Sequence, residues 1–370
     1  MTQSGSVNST LKAQRSKLGF TQSSILNPQS FLPDSPIARA ELRYQRHAAG
    51  KLRRWQRIFL RLGYGFLVTL SAILYFGQLA GSLLRRDSNP IFAALAPYVV
   101  ILMVVTLATH VWLLLRTMMT ACNSIAHEKM SGTWDVLILT GIDARQIVFG
   151  KWWATMRFTA REFWLLLPLR VAMSVYIGHQ ISYVSYSYMM FSRNHLIPVP
   201  PNLINLVLIV PLLALFTFAG AGLAAAVGVL ASAAFRRATA AVGAALGVYI
   251  TLLIVGVGAV SLLVAGLDAQ FPFREPERYE RYLVTRQTLD TIRYSWIENG
   301  TLLNASLVTF GWTPAGDRDA VAAIDLRSLS DNHQRTLVSL AIGLVICLGL
   351  YPLVIRAVLK AAERAAALRE

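Results

Sequence analysis

Two side chains capable of chemistry stand alone inside apolar runs: His110, and Arg170 two positions after Pro168. An arginine at the middle of a bilayer costs about 2.5–3.5 kcal/mol on insertion scales, so Arg170 must face protein or water. It could touch an anionic group on a transport pathway, hydrogen-bond backbone freed by Pro168, or snorkel outward, and the sequence leaves these open. His110 fits a helix-to-helix hydrogen bond or a proton relay, and Arg116 fits an anchor at the membrane edge. A denser group runs from Ser124 to Lys151, SIAHEKMSGTWDVLILTGIDARQIVFGK. Glu128 and Lys129 end one helical piece, Ser131-Gly132-Thr133 breaks it, and a short apolar run from Trp134 to Leu139 follows. Thr140-Gly141 turns the chain again, and Asp143 with Gln146 three residues on has the spacing of a capping box. Two helix starts and an apolar ridge between membrane segments suit a docking surface. Enzymatic chemistry has no foothold: no phosphate-binding glycine loop, no H-E-x-x-H, no G-x-S-x-G and no metal-spaced Cys/His cluster occurs. If ATP drives this protein, another chain binds it. The small-residue run from Gly220 to Ala234 reads as close helix packing, not as a phosphate cradle.

The elements that must position these residues are membrane helices. Of the 370 residues 55% are hydrophobic and only 15% charged, against roughly 25% charged in soluble domains, and the mean hydropathy is +0.50. Two cysteines, Cys122 and Cys347, make no disulfide framework. Residues 1–34 lack an apolar signal-peptide core, so the first membrane helix is expected to act as its own insertion signal. The net charge of +16 could suggest a nucleic-acid partner. With both termini cytoplasmic, however, the inner parts hold 23 of the 35 Lys+Arg and 8 of the 19 Asp+Glu, and all six lysines. The outer parts balance, and Arg170 supplies the remaining charge. That is a positive-inside bias, with attraction to anionic lipid, and needs no nucleic acid.

Charge-free runs long enough to cross about 30 Å of hydrocarbon predict six spans, at 62–84, 93–115, 152–178, 203–235, 238–267 and 336–355. The third is the weakest, since Arg157, Arg161 and Glu162 open it. Residues 1–34 are read as a disordered tail, and Ser35-Pro36 as the cap and first turn of a basic amphipathic helix over 35–57. That helix is expected in the headgroup plane, with Arg39 and Arg43 toward lipid and Trp55 at the interface. Pro211 is expected to kink the fourth span, and Gly243, Gly247 and Gly256 to allow close contact in the fifth. The six-helix membrane body is placed at 58–360, with an outer insert at 268–335 and a short tail at 361–370. Within the insert, Tyr282, Leu289, Ile292 and Trp296 share one face of a helix predicted from Pro276 to Glu298. The fold class is therefore all-α: a polytopic membrane protein of six transmembrane helices, with an N-terminal interfacial helix and a coupling segment between helices 2 and 3.

The docking segment resembles that of the type-2 permease subunits of ATP-binding cassette (ABC) exporters. Their second and third membrane helices are joined by Ser-Ile-x-x-Glu-(basic)-x-x-Gly-Thr, a few apolar residues, a turn, and Ile-(apolar)-x-Gly-Lys. Here these are Ser124-Ile125, Glu128-Lys129, Gly132-Thr133, Val136 to Leu139, and Ile147 with Gly150-Lys151. Gly141 stands where members often carry proline, and His127 where arginine is common. Pro36 to Arg43, including Arg39 and Glu41, resembles the Asn-Pro-(apolar)-x-(basic)-Glu-Leu lead-in before their first helix, with Ser35 in place of the asparagine.

The resemblance implies a multi-pass protein of the cell membrane with no cofactor of its own. ATP and magnesium would sit on a separate ABC ATPase subunit, and a second permease subunit, identical or related, would complete the pathway. Glu128 and Lys129 would pair with charges on the ATPase, Gly132-Thr133 would fix the bend, and Trp134, Leu137 and Ile138 would fill an apolar groove on it. Asp143 would cap the helix leading through Lys151 into the third span. The rival reading is a membrane scaffold or sensor, with a ligand-binding outer insert and a cytosolic partner that is not an ATPase. A secondary transporter fits less well, because the spans lack the acidic residues that ion coupling uses.

Overall fold

The computed structural model describes residues 36–48, 54–84, 89–139, 142–191, 203–270 and 326–367, with a few positions between 285 and 296. The main elements are α1 (Pro36–Ala48), α2 (Arg54–Leu84), α3 (Asn89–Ser131), α4 (Thr133–Leu139), α5 (Ala144–Phe191), α6 (Leu203–Ala234), α7 (Ala238–Gln270) and α8 (Leu326–Ala367). No strand occurs among the described residues. Backbone that has no water to bond must satisfy its N–H and C=O groups within its own segment, which a helix does. Five stretches are long and apolar enough to cross a membrane: Leu62–Ala80, Pro97–Ser131, Ile209–Ala234, Ala238–Ala269 and Val345–Ala367. This is an all-helical polytopic membrane protein. The expected third crossing, 152–178, lies within α5 but is not among the five, its apolar run being interrupted by Arg157, Arg161, Glu162 and Arg170.

Helix α6 forms the axis of the bundle. Helices α3, α5, α7 and α8 all pack on it, and α1 lies across α5. Buried residues make up 72% of the most apolar part of α6 but only 6% of that of α7, which stands at the periphery. Small residues set the close approach: a Cβ on Gly228 of α6 would sit 2.6 Å from both the Ala121 Cβ and the Met118 carbonyl oxygen of α3. The expected close contacts at Gly243 and Gly247 are not formed, since nothing lies within 4 Å of a Cβ at either, as befits a peripheral helix.

Several boundaries differ from the sequence reading. Of the predicted interfacial helix over 35–57, residues 36–48 form α1 and Trp55 belongs to the first turn of α2, while 49–53 lie outside the described residues. Helix α5 continues past the expected end at 178 to Phe191, and α8 runs unbroken through the predicted boundary at Arg356. Both contain a proline (Pro168, Pro352), as does α6 at Pro211, and helix continues on either side. The tail 1–34, the turn at Thr140-Gly141 and most of the insert 268–335 lie outside the described residues.

One part of the insert is described, and it is not peripheral. Trp296 packs against Gly256 of α7, its Nε1 donates to the Leu252 carbonyl oxygen at 3.3 Å, and its ring centroid lies 5.0 Å from that of Tyr351 on α8. Leu252 is fourteen residues into α7, about 21 Å along its axis at 1.5 Å per residue. Arg286, by contrast, pairs with Asp268 near the end of α7 at 3.8 Å. Arg286 thus lies beside the end of α7, and Trp296 beside its middle, in contact with the bundle.

Candidate functional site

The site assembles at one end of the bundle, where α3 finishes, α4 and α5 begin and α1 crosses over. Helix α3 has 43 residues, about 65 Å of helix, more than twice a hydrocarbon thickness of about 30 Å. Part of it therefore projects beyond any membrane it crosses, and its charged end, with Glu128 and Lys129, is the part suited to water. The helix ends at Gly132, whose φ of 72° is left-handed, a conformation that glycine adopts without a Cβ penalty. The Ser131 and Thr133 hydroxyls donate to the Glu128 carbonyl oxygen at 3.2 and 3.3 Å, capping the terminus. Helix α4 starts at once with Thr133. Asp143 is exposed and accepts from the Arg145 backbone N–H at 3.2 Å, so it caps α5 as its spacing suggested.

At the centre is Lys151, 1% exposed. Its Nζ donates to Glu41 Oε2 at 2.9 Å, to Glu128 Oε1 at 2.8 Å and to the Ser124 carbonyl oxygen at 3.1 Å. One ammonium thus ties α1, α3 and α5 together, with all three of its hydrogens directed at oxygens. Gln45 extends the cluster, donating to Glu41 Oε1 at 3.0 Å and to the Thr155 hydroxyl at 3.3 Å. Burying these charges is tolerable only because they are paired and hydrogen-bonded, and removing one partner leaves an uncompensated charge.

The residues expected on a docking ridge divide into two sets. Glu128 pairs within the chain rather than standing free. Lys129 donates to the Ala233 carbonyl oxygen at the end of α6, and its ammonium lies 5.3 Å from the Trp134 ring centroid. Trp134 is 6% exposed, packed in the principal core, and Leu137 packs partly buried against the same core. An exposed ridge centred on Trp134 is therefore not what this conformation presents: the indole is covered by the cation beside it. Exposure falls instead on Met130, at 60%, and on Leu139, at 85%. The side chain of Ile138 lies outside the described residues, as do those of Pro36 and Trp55.

In α1, Arg39 and Arg43 are exposed. The buried face is Ala38, Glu41 and Gln45, at positions i, i+3 and i+7. Sequence reasoning missed this polar inward face, and equally its complement on α5, where Lys151, Thr155 and Thr159 repeat every four residues and are all buried. The available signal was the helical spacing of polar residues within each segment, which marks an inward polar face but does not name its partner. Tyr44 meets His127 of α3 with ring centroids 5.3 Å apart, a direct link between α1 and α3.

The two isolated residues lie elsewhere, toward the middle of the bundle. Arg170 is fully buried, and its Nη1 donates to the Thr217 hydroxyl of α6, which in turn donates to the Leu213 carbonyl oxygen at 2.6 Å. His110 of α3 is buried as well. Neither belongs to the Lys151 cluster. Arg116 forms an ion pair with Glu162 at 2.6 Å, joining α3 to α5. Among the described residues no group of three or more His, Cys, Asp or Glu could hold a metal ion, and Cys122 and Cys347 are free and buried. Neither models of known protein families nor curated proteins give a match to this chain.

Proposed function

We propose that this chain is the transmembrane permease subunit of an ABC exporter, driven by ATP hydrolysis on a separate ATPase subunit that docks on residues 121–151. The observation that carries this reading is the Lys151 cluster. It joins the lead-in helix, the projecting turns of α3 and the first turns of α5 into one unit, so a push on the projecting turns moves α5 as a lever. Coupled motion of this kind is how closure of a partner opens a pathway through rigid elements. The docking face is the exposed rim at Met130 and Leu139 rather than Trp134. In this reading the rim is cytoplasmic, as are both termini, in a cell-membrane protein. The little-buried face of α7 suits a second permease subunit, and substrate moves outward between the two halves.

The test is affinity purification of the tagged chain from membranes of its native host, with mass spectrometry of what accompanies it. The expected result is an ATPase carrying a phosphate loop, retained by the native chain and lost from Leu139→Asp. Leu139 is so exposed that the substitution leaves stability within about 0.5 kcal/mol. Retention of a cytosolic protein without ATPase activity would favour the scaffold or sensor reading instead.

A further inference from the structure

Helices α5, α6 and α8 leave between them a groove of about 770 Å³, within the range of about 300–1,000 Å³ for small-molecule sites. Its long wall on α8 runs from Leu348 to Glu363, about 22 Å of helix at 1.5 Å per residue. The two ends differ in chemistry. At the base lie Arg145, Arg356 and Lys360, with Glu363 alone opposing them, 3.8 Å from Arg145. Beyond the first turns the walls are apolar and aromatic, with Trp152, Phe218 and Tyr351 among them. The indole N–H of Trp152 already donates to the Gly222 carbonyl oxygen at 2.9 Å. That wall therefore gives a peptide little to hydrogen-bond, whereas an alkyl chain needs nothing of the kind.

We infer that this groove holds a membrane lipid with an anionic phosphate headgroup, its phosphate between Arg356 and Lys360 and an acyl chain along Trp152 and Phe218. With the crossing that the charge-free run predicts for α8, 336–355, Arg356 and Lys360 follow the span at headgroup level, and the apolar wall from Leu348 to Ile355 stands at acyl depth. A second copy of the chain is a poorer occupant, because a two-fold axis through the base of the groove would bring the Arg356 and Lys360 cations of both copies together. A cation near an anionic lipid surface is attracted to it, and guanidinium pairs with phosphate in a bidentate fork. The inference needs a bilayer but no ATPase, so it stands or falls separately from the proposed function.

The full-length chain is placed in nanodiscs of phosphatidylcholine and phosphatidylglycerol at 7:3, and the lipids that stay bound on release are counted by native mass spectrometry. The expected result is retained phosphatidylglycerol on the native chain, reduced at least fivefold in Arg356→Glu/Lys360→Glu. Arg236→Glu/Arg237→Glu, an equal charge change at the exposed turn between α6 and α7, retains it. Ala219→Phe fills the apolar wall without altering charge and also reduces retention. Equal loss from both charge-reversed variants would mean general attraction to a basic surface and overturn the site. So would equal retention of phosphatidylcholine, or full retention in Ala219→Phe.

Discussion

Replacing Lys151 with methionine keeps most of the side chain's volume and removes the ammonium that holds three helices. Glu41, 7% exposed, and Glu128 then face each other without a counter-charge. Breaking a buried pair by removing one partner costs about 3–5 kcal/mol. At an unfolding entropy of about 2.1 cal/mol/K per residue, 370 residues convert this into a fall in Tm of about 4–6 °C. The assay uses the protein's own thiols. Cys122 and Cys347 are both buried, so a fluorogenic maleimide reports their exposure on heating in detergent. With Cys347→Ala the signal comes from Cys122 alone, on the helix that carries Glu128. Glu363→Gln is the reference: its 3.8 Å contact with Arg145 joins side chains 29% and 54% exposed, and such pairs contribute about 0–1 kcal/mol. Glu41→Gln removes one carboxylate charge, so Glu41→Gln/Lys151→Met should recover about 1–3 kcal/mol relative to the sum of the single changes. A Lys151→Met protein that melts with the Glu363→Gln protein, or a strictly additive double variant, would refute the idea that this cluster binds the three helices.

Three further outcomes are expected. Gly228→Val forces α6 away from Ala121 and Met118 and should cost about 1–3 kcal/mol or more; Gly243→Val, with open space around it, should melt within about 1 °C of the native chain by the same thiol assay. Thr217→Val takes an acceptor from the buried Arg170 guanidinium and should cost about 1–3 kcal/mol. Adding Arg170→Met should restore part of that loss, and a double variant less stable than Thr217→Val alone contradicts the account. Trp296→Cys, in a chain lacking the two native cysteines, should resist a membrane-impermeant maleimide that labels Asp268→Cys; equal labelling rates would remove Trp296 from its place against Leu252.

Apolar runs told where most of the helices lie, because a charge at mid-span is costly and its absence over twenty residues is hard to explain otherwise. Local chemistry told where several begin and end: Pro36 at a first turn, Gly132 with its left-handed φ, Asp143 as a cap. What escaped was pairing over distance. Glu41 and Lys151 are 110 residues apart, and no periodicity in either segment says that the two belong together. Trp134 misled for a related reason: an indole in a polar stretch looks like a ridge until the lysine five residues earlier is found above its ring. Trp296 shared a face with Ile292 as the helical spacing suggested, and both are buried, but spacing cannot say that the face meets Leu252 halfway along a membrane helix.

The geometry of α5 connects the two ends of the argument. Its first turns carry Lys151, Thr155 and Thr159 on one side, against α1 and α3, and Val148, Trp152 and Met156 on another, against the lipid-sized groove. Successive residues on a helix point about 100° apart, so Lys151 and Trp152 are rigidly linked yet face different neighbours. A displacement passed from the projecting turns of α3 through Lys151 must therefore also move the wall of the groove. Arg116 with Glu162 adds a second tie between α3 and α5 about 16 Å farther along, which resists rotation of one helix about the other. Two ties at different heights allow α5 to tilt with α3 but not to slide past it, and tilting is the motion that changes a groove's width.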